Sequence, residues 1–192
     1  MEEVQRNAMK INSLIHQVLN FNRIEDNEDS LLILSRIELV SFSHSLFSVY
    51  EEDKRLTFLF ETNKAKIYAD MDAIKLGVIL DSLLSNAVKF TPDGGSIRLS
   101  LFYREETGLV DICVSDTGSG IPPRDIPYIF QRFFQSPHSG NKEGTGIGLY
   151  LVKTYTELHA GHFSGVTSEE GKGTSVGLNI PVIAVEEEKI PA

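Results

Sequence analysis

The 192-residue sequence predicts an α+β fold, a two-layer α/β sandwich preceded by a long N-terminal helix. Three observations point to it. Val4, Ile11 and Val18 share one heptad position, Leu14 and Phe21 share another, and Ala8 and Ile15 flank them, the seam of a bundle or coiled coil. Segments of helical period then alternate with segments of strand period, several of which read as hairpins. A hydrophobic content of 41% over this length suffices for one packed domain plus an appendage, which excludes disorder and low-complexity fibres.

The N-terminal pattern has no Pro or Gly to break it and runs to Glu25, where the polar residues Asp26 to Ser30 connect it to the rest. A helix of that length extends about 35 Å, so it needs a partner helix. The alternative is an amphipathic helix packed on the following domain. Next come a short strand over Leu31 to Leu34, a helix over Ile37 to Tyr50, strands over Arg55 to Glu61 and Lys66 to Ala69, and a long helix from Met71 to Phe90. Strands follow at Ser96 to Arg104 and Gly108 to Ser115, joined by a turn at Thr107-Gly108. A helix over Gly146 to His159 and strands over Phe163 to Ser168 and Ser175 to Ile180 complete the body. The expected divisions are residues 1–26 for the arm, 27–182 for the body and 183–192 for a solvated tail.

Eighteen Lys and Arg against 27 Asp and Glu leave a net charge of −9. Such a chain is repelled by phosphate backbones and anionic headgroups, so nucleic-acid binding is not expected, and any bound anion must be held by local geometry. The single cysteine, Cys113, lies in a strand-like run and reads as a reduced, buried thiol. No apolar run reaches the roughly 18 residues of a membrane helix, and Met1 is followed by two glutamates rather than by a basic leader. The chain as written is expected to be soluble, with no membrane contact of its own.

Three constellations carry chemistry. On the long helix, Leu76, Ile79, Leu80, Leu83, Leu84 and Ala87 form a core face, while Lys75, Ser82, Asn86 and Lys89 form a polar stripe at its edge. An amide oxygen suits Mg²⁺ and a nearby ammonium can reach a phosphate; the bland alternative is a solvated stripe. Asp116-Thr117-Gly118-Ser119-Gly120 follows an apolar strand, so a carboxylate at the strand end can accept from an exocyclic amine while the glycines let backbone approach a flat base. A simple Asp-Gly turn would look the same. Gly144-Thr145-Gly146-Ile147-Gly148-Leu149 opens a helix, where peptide N–H groups and the helix dipole can hold phosphate without net positive charge. Its spacing is neither the Rossmann fingerprint nor a Walker A loop.

In this order the motifs resemble those of the ATP-binding domain of sensor histidine kinases, a branch of the family that includes DNA gyrase, mismatch-repair ATPases and heat-shock chaperones. Asn86 to Pro92 is similar to the N box, Asp116 to Gly120 to the G1 box, Ile129 to Phe134 to the F box, and Gly144 to Leu149 to the G2 box. Residues 1 to 25 resemble the second helix of the family's dimerisation hairpin. The resemblance implies the histidine kinase, gyrase and chaperone ATPase type of sandwich, with ATP and Mg²⁺ bound. Asn86 would hold the metal, Lys89 the phosphates and Asp116 the adenine amine. Gly118 and Gly120 would shape the base site, Gly144, Thr145, Gly146, Gly148 and Leu149 would form the phosphate cradle, and Arg132 would reach the γ-phosphate. Residues 121 to 143 would be a mobile lid.

The implied reaction is transfer of the γ-phosphoryl group of ATP to a histidine. The implied partners are the phosphoacceptor helix of the same receptor, a response regulator receiver domain, and a second copy through residues 4–21. The implied location is cytoplasmic, as part of a membrane-anchored receptor. Two features depart from the family pattern. Ser82 stands where an asparagine is usual, and no histidine has the acceptor's acidic neighbour and following proline: His16 precedes Gln17 and the first proline is Pro92. Self-phosphorylation of this chain is therefore not expected. His159 reads as a helix-end residue serving the cap or its packing, and His44, His138 and His162 have no visible partner in sequence. Two rivals remain open: a degenerate nucleotide- or protein-binding module, and an ATP-hydrolysing clamp in which Asp81 is the base.

Overall fold

A computed structural model of the protein describes residues 32–137 and 144–186. The expected arm, Leu31, His16, His138, part of the expected lid and the last six residues lie outside the described residues. Among the described residues, eight strands and three α-helices follow in the order β1 (Ser35–Glu38), α1 (Leu39–Tyr50), β2 (Thr57–Thr62), β3 (Lys66–Met71), α2 (Ala73–Phe90), β4 (Ser96–Arg104) and β5 (Leu109–Asp116). A 3-10 turn (Ile126–Tyr128), α3 (Gly148–Leu158), β6 (His162–Glu169), β7 (Gly173–Pro181) and β8 (Ala184–Glu186) complete them.

A five-stranded sheet has the order β2-β4-β5-β7-β6, and a three-stranded sheet has the order β1-β3-β8. All pairings are antiparallel except β2 with β4, which run parallel because β3 and α2 intervene between them. Alternation fixes which face of the large sheet is covered. Ile97, Leu99 and Leu101 of β4, Val110, Ile112 and Val114 of β5, and Val176, Leu178 and Ile180 of β7 are buried against Leu76, Ile79, Leu80, Leu83 and Leu84 of α2 and Leu151, Val152 and Tyr155 of α3. Each such aliphatic side chain contributes about 1.5–3 kcal/mol on burial. Cys113 falls out of phase with its buried neighbours and is half-buried on the opposite face, 3.6 Å from Ser115 Oγ, rather than in the core.

The helix boundaries follow from capping. Glu38 caps α1 by accepting from the N–H groups of Val40 and Ser41, both at 2.9 Å, so Ile37 belongs to β1 and not to the helix. The first strand accordingly begins at Ser35, after an irregular Leu32–Leu34. Asp72 caps α2, its Oδ1 accepting from Ile74 N–H at 3.0 Å and Lys75 N–H at 3.1 Å. Thr91 ends that helix, donating its N–H to the Ala87 carbonyl at 3.0 Å immediately before Pro92. Ala184 to Glu186, expected in a solvated tail, instead pair with β3. A run of three residues, Ala184-Val185-Glu186, is too short to show an alternating pattern, and backbone pairing to an edge needs none.

Candidate functional site

The C-terminal half of α2 is where the three sequence constellations converge. The G1 segment meets its end: a Cβ on Gly118 would lie 2.6 Å from the Phe90 carbonyl oxygen and 2.6 Å from Asp116 Oδ1, and Ser119 N–H donates to the same carbonyl at 3.2 Å. The G2 segment meets its flank, since a Cβ on Gly144 would lie 2.8 Å from Lys89 Nζ and one on Gly148 would lie 3.6 Å from Ser82 Oγ. Asn86 is half-buried on the same helix between Ser82 and Lys89. Lys75 does not belong with them. It is buried near the far end of α2 beside Asp72, because the polar stripe seen in sequence runs the length of the helix and only its last two turns face the loops.

Asp116 closes β5, and its Oδ1 accepts from Gly118 N–H at 2.7 Å. Burial raises its carboxyl above the ordinary aspartate value, and the N–H groups of Gly118 and Thr174 only partly offset this. Gly173, which the sequence reading passed over, makes this arrangement possible. At φ +119 it passes so close to Asp116 that a Cβ would lie 1.9 Å from the Asp116 carbonyl oxygen. The available signal was the Glu170-Gly171-Lys172-Gly173 turn ahead of β7. Gly120 packs against the same turn, with Glu169 O at 2.1 Å from its would-be Cβ, and Gly171 N–H donates to the Ser119 carbonyl at 2.8 Å.

The F-box segment braces the G2 segment. Gly146 has φ +70, and a Cβ there would lie 2.6 Å from Phe133 C. Phe133 N–H donates to the Gly146 carbonyl at 3.0 Å and Gln135 Nε2 to the Gly144 carbonyl at 2.9 Å. Phe133 itself adopts φ 61 while 60% exposed, a strained setting for a bulky residue. Arg132 is exposed and reaches α3: its Nη2 donates to the Tyr150 hydroxyl at 2.7 Å, and its guanidinium lies 4.7 Å from the Tyr150 ring centroid.

At the helix start, Thr145 Oγ1 accepts from Ile147 N–H at 3.3 Å, and Ile147, as the N-cap residue of α3, supplies no side-chain cap. The first-turn N–H groups are thereby left to an external acceptor, the arrangement that suits phosphate. Leu149 half-buries against the core and anchors that first turn. Ser82 is 2% exposed and its hydroxyl has no hydrogen-bond partner. Asp81, its neighbour, is turned toward α1, where its Oδ1 accepts from the Tyr50 hydroxyl at 2.5 Å. His44 lies edge-on to Phe60, His162 is exposed at the start of β6, and His159 caps α3, so none of the three is at this site.

Comparison with known proteins supplies the family. The model for "Histidine kinase-, DNA gyrase B-, and HSP90-like ATPase" matches residues 71–184, more than half of the chain. The sensor histidine kinase WalK of Bacillus subtilis is 29% identical over 181 residues, covering 92% of this chain and 29% of its own length. The sensor histidine kinase TmoS of Ectopseudomonas mendocina is 35% identical over 190 residues, covering 96% of this chain and 19% of its own. The chain thus spans less than a third of either relative.

Among solved structures, the mycobacterial sensor histidine kinase MprB superposes with a TM-score of 0.69 at 24% identity, over 77% of this chain and 98% of that one. Full-length ShkA in complex with AMPPNP superposes with a TM-score of 0.76 at 24% identity, over 95% of this chain and 38% of that one. No helix among the described residues is long and apolar enough to cross a membrane. With the sandwich, the order of the boxes and the family match in agreement, the chain belongs to the histidine kinase-, DNA gyrase B- and HSP90-like ATPases as an ATP-binding domain of the sensor histidine kinase type.

Proposed function

We propose that the chain binds Mg²⁺-ATP and is the catalytic part of a sensor histidine kinase, passing the γ-phosphoryl group to a histidine on a dimerisation helix that this sequence does not contain. The observation that carries the reading is the convergence of Asp116, Lys89 and the Gly144–Gly148 segment around the last turns of α2, with Gly118 against Phe90 and Gly144 against Lys89. Asp116 would accept from the adenine amine, its burial away from water strengthening that bond. Gly118 and Gly120 would shape the base site by letting the backbone pack against Phe90 and Glu169. The N–H groups of Gly144 to Gly148 would hold the phosphates, which reconciles anion binding with a net charge of −9. Lys89 would neutralise phosphate charge, and Arg132 would leave Tyr150 to meet the γ-phosphate.

Mg²⁺ keeps several waters and needs few protein oxygens, so a site offering the Asn86 amide, with the unpartnered Ser82 hydroxyl one turn away, fits it. When bound, the metal would neutralise charge on the phosphate oxygens. In the transfer, a ring nitrogen of the acceptor histidine bonds to the γ-phosphorus, the bond to the bridging oxygen breaks, and ADP leaves. The response regulator as downstream partner is supported by a solved complex of the histidine kinase ThkA with its response regulator TrrA, whose kinase has 19% identity and a TM-score of 0.70 to this chain. Similarity to sensor histidine kinases supports a location at the cytoplasmic end of a membrane-anchored receptor, and the heptad spacing of residues 4–21 supports dimerisation through that segment.

Calorimetry with a non-hydrolysable ATP analogue tests the first half: binding that requires Mg²⁺ supports it, and absent or metal-independent binding favours a degenerate module. Mixing the chain with a separate acceptor hairpin and γ-labelled ATP tests the second, with label expected on the hairpin. Label on a histidine of this chain would overturn it. The ATP-hydrolysing clamp is disfavoured by Asp81, whose carboxylate is held by Tyr50 on the α1 side of α2.

A further inference from the structure

Helices α2 and α3 approach one another at two places. Near the phosphate loops the contact is Ser82 with Gly148; at the other end it is a buried polar cluster to which the nucleotide reading gives no role. Asp72, Lys75 and His159 are 4%, 7% and 7% exposed. The Asp72 backbone N–H donates to His159 Nε2 at 2.9 Å, and His159 Nδ1 lies 2.6 Å from the Tyr155 carbonyl. A backbone N–H can only donate, so Nε2 is the bare nitrogen and Nδ1 carries the hydrogen that Tyr155 receives. Both ring nitrogens are committed in the neutral form. A proton on Nε2 would set two donors against each other and break the contact that joins the end of α3 to the start of α2.

The charged groups facing the ring come from the start of α2. Asp72 favours the imidazolium and Lys75 opposes it, while on its own helix the Tyr155 carbonyl accepts from Nδ1. Lys75 Nζ is 3.5 Å from Asp72 Oδ2 and 5.6 Å from the Tyr155 ring centroid, so the cluster spans both helices. Asp72 Oδ2 also accepts from Ile33 N–H at 3.1 Å, which ties the segment entering β1 to the same carboxylate. Burial lowers the imidazole below its ordinary value, and the Tyr155 carbonyl and Asp72 only partly counter it.

We propose that His159 is a positioning residue: neutral, it pins α3 to α2 and holds Gly144–Gly148 at the spacing from Asn86 and Lys89 that nucleotide phosphates require, and protonation releases the pin and weakens nucleotide binding. The proposal rests on the reading of that site as one for Mg²⁺-ATP.

The test is calorimetry on the full chain with Mg²⁺ and a non-hydrolysable ATP analogue at about pH 8 and about pH 5.5, for the wild type and His159→Gln, whose amide can accept and donate without titrating. The ligand's own protonation cancels in the ratio of the two Kd values. Because burial holds the imidazole below its ordinary value, acidification to about pH 5.5 protonates it only in part, and the wild type should lose about two- to fivefold more affinity than the variant. A ratio that does not change with pH overturns the proposal. Should the variant fail to fold, the wild-type amide NMR spectrum decides: the Gly146 and Gly148 signals should titrate with the midpoint of the His159 ring, and their failure to do so is equally fatal. If neither protein binds nucleotide at either pH, the Mg²⁺-ATP reading falls, and the amide titration still judges the pin by itself.

Discussion

Gly118 is wedged between the Phe90 carbonyl and Asp116 Oδ1, with a would-be Cβ 2.6 Å from each oxygen. Neither neighbour can yield easily, because the carbonyl ends α2 and the carboxylate holds Gly118 N–H at 2.7 Å. Gly118→Ala should therefore destabilise the domain by about 1–3 kcal/mol, the usual cost of forcing a methyl group into packed surroundings. It should also weaken nucleotide binding more than tenfold. Urea unfolding and calorimetry check both effects, and a variant of unchanged stability would mean that the two segments are not in contact.

Ser82 presents the opposite case, a buried hydroxyl with no partner. Ser82→Ala removes an unsatisfied polar group, so the free protein should become more stable by about 1 kcal/mol. If the hydroxyl serves the metal side of the site, the same change should reduce the Mg²⁺ dependence of nucleotide binding. Thermal melts with and without Mg²⁺-nucleotide separate the two outcomes.

Burial raises the Asp116 carboxyl above its unfolded value. Between the two values the folded state holds more protons than the unfolded one, so stability falls as pH rises through that window and the full penalty remains above it. Asp116→Asn should flatten that fall, raise the melting temperature of the free protein at neutral pH, and weaken adenine nucleotide binding at least tenfold. A variant that binds as tightly as the wild type would remove Asp116 from the base site.

Tyr50 and Asp81 give a control. Burial and the adjacent Asp81 raise the Tyr50 hydroxyl well above the usual tyrosine range, so it stays protonated and donates. Tyr50→Phe leaves the carboxylate without this donor and should cost about 1–3 kcal/mol of stability. Phosphoryl transfer to a supplied acceptor hairpin should persist in Asp81→Asn. Steady ATP hydrolysis abolished by Asp81→Asn would instead restore the clamp reading.

The elements built on local pattern were legible in the sequence: α2, α3, the β4–β5 hairpin and the large sheet's buried face follow from periodicity. The motif segments around Asn86, Asp116 and Gly146 stand out in sequence by residue type and spacing, and the structure brings their segments together around the end of α2. What could not be read depends on the third dimension. Ala184–Glu186 form a strand only because β3 offers an edge, and Cys113 faces outward because its register puts Ile112 and Val114 inward. Lys75 shares a helical stripe with Lys89 in sequence, yet sits at the far end of α2 within the His159 cluster. Gly173 matters through a backbone approach to Asp116, far earlier in the chain, which no local window contains.

The small sheet places β1 and β8 on either side of β3. Residues 32 to 34 lead into one flank and Glu186 ends the other, so a pull applied between Leu32 and Glu186 is borne by a three-strand ribbon. Load applied there meets the β1-β3-β8 ribbon, a sheet separate from the one whose strand β5 ends in Asp116.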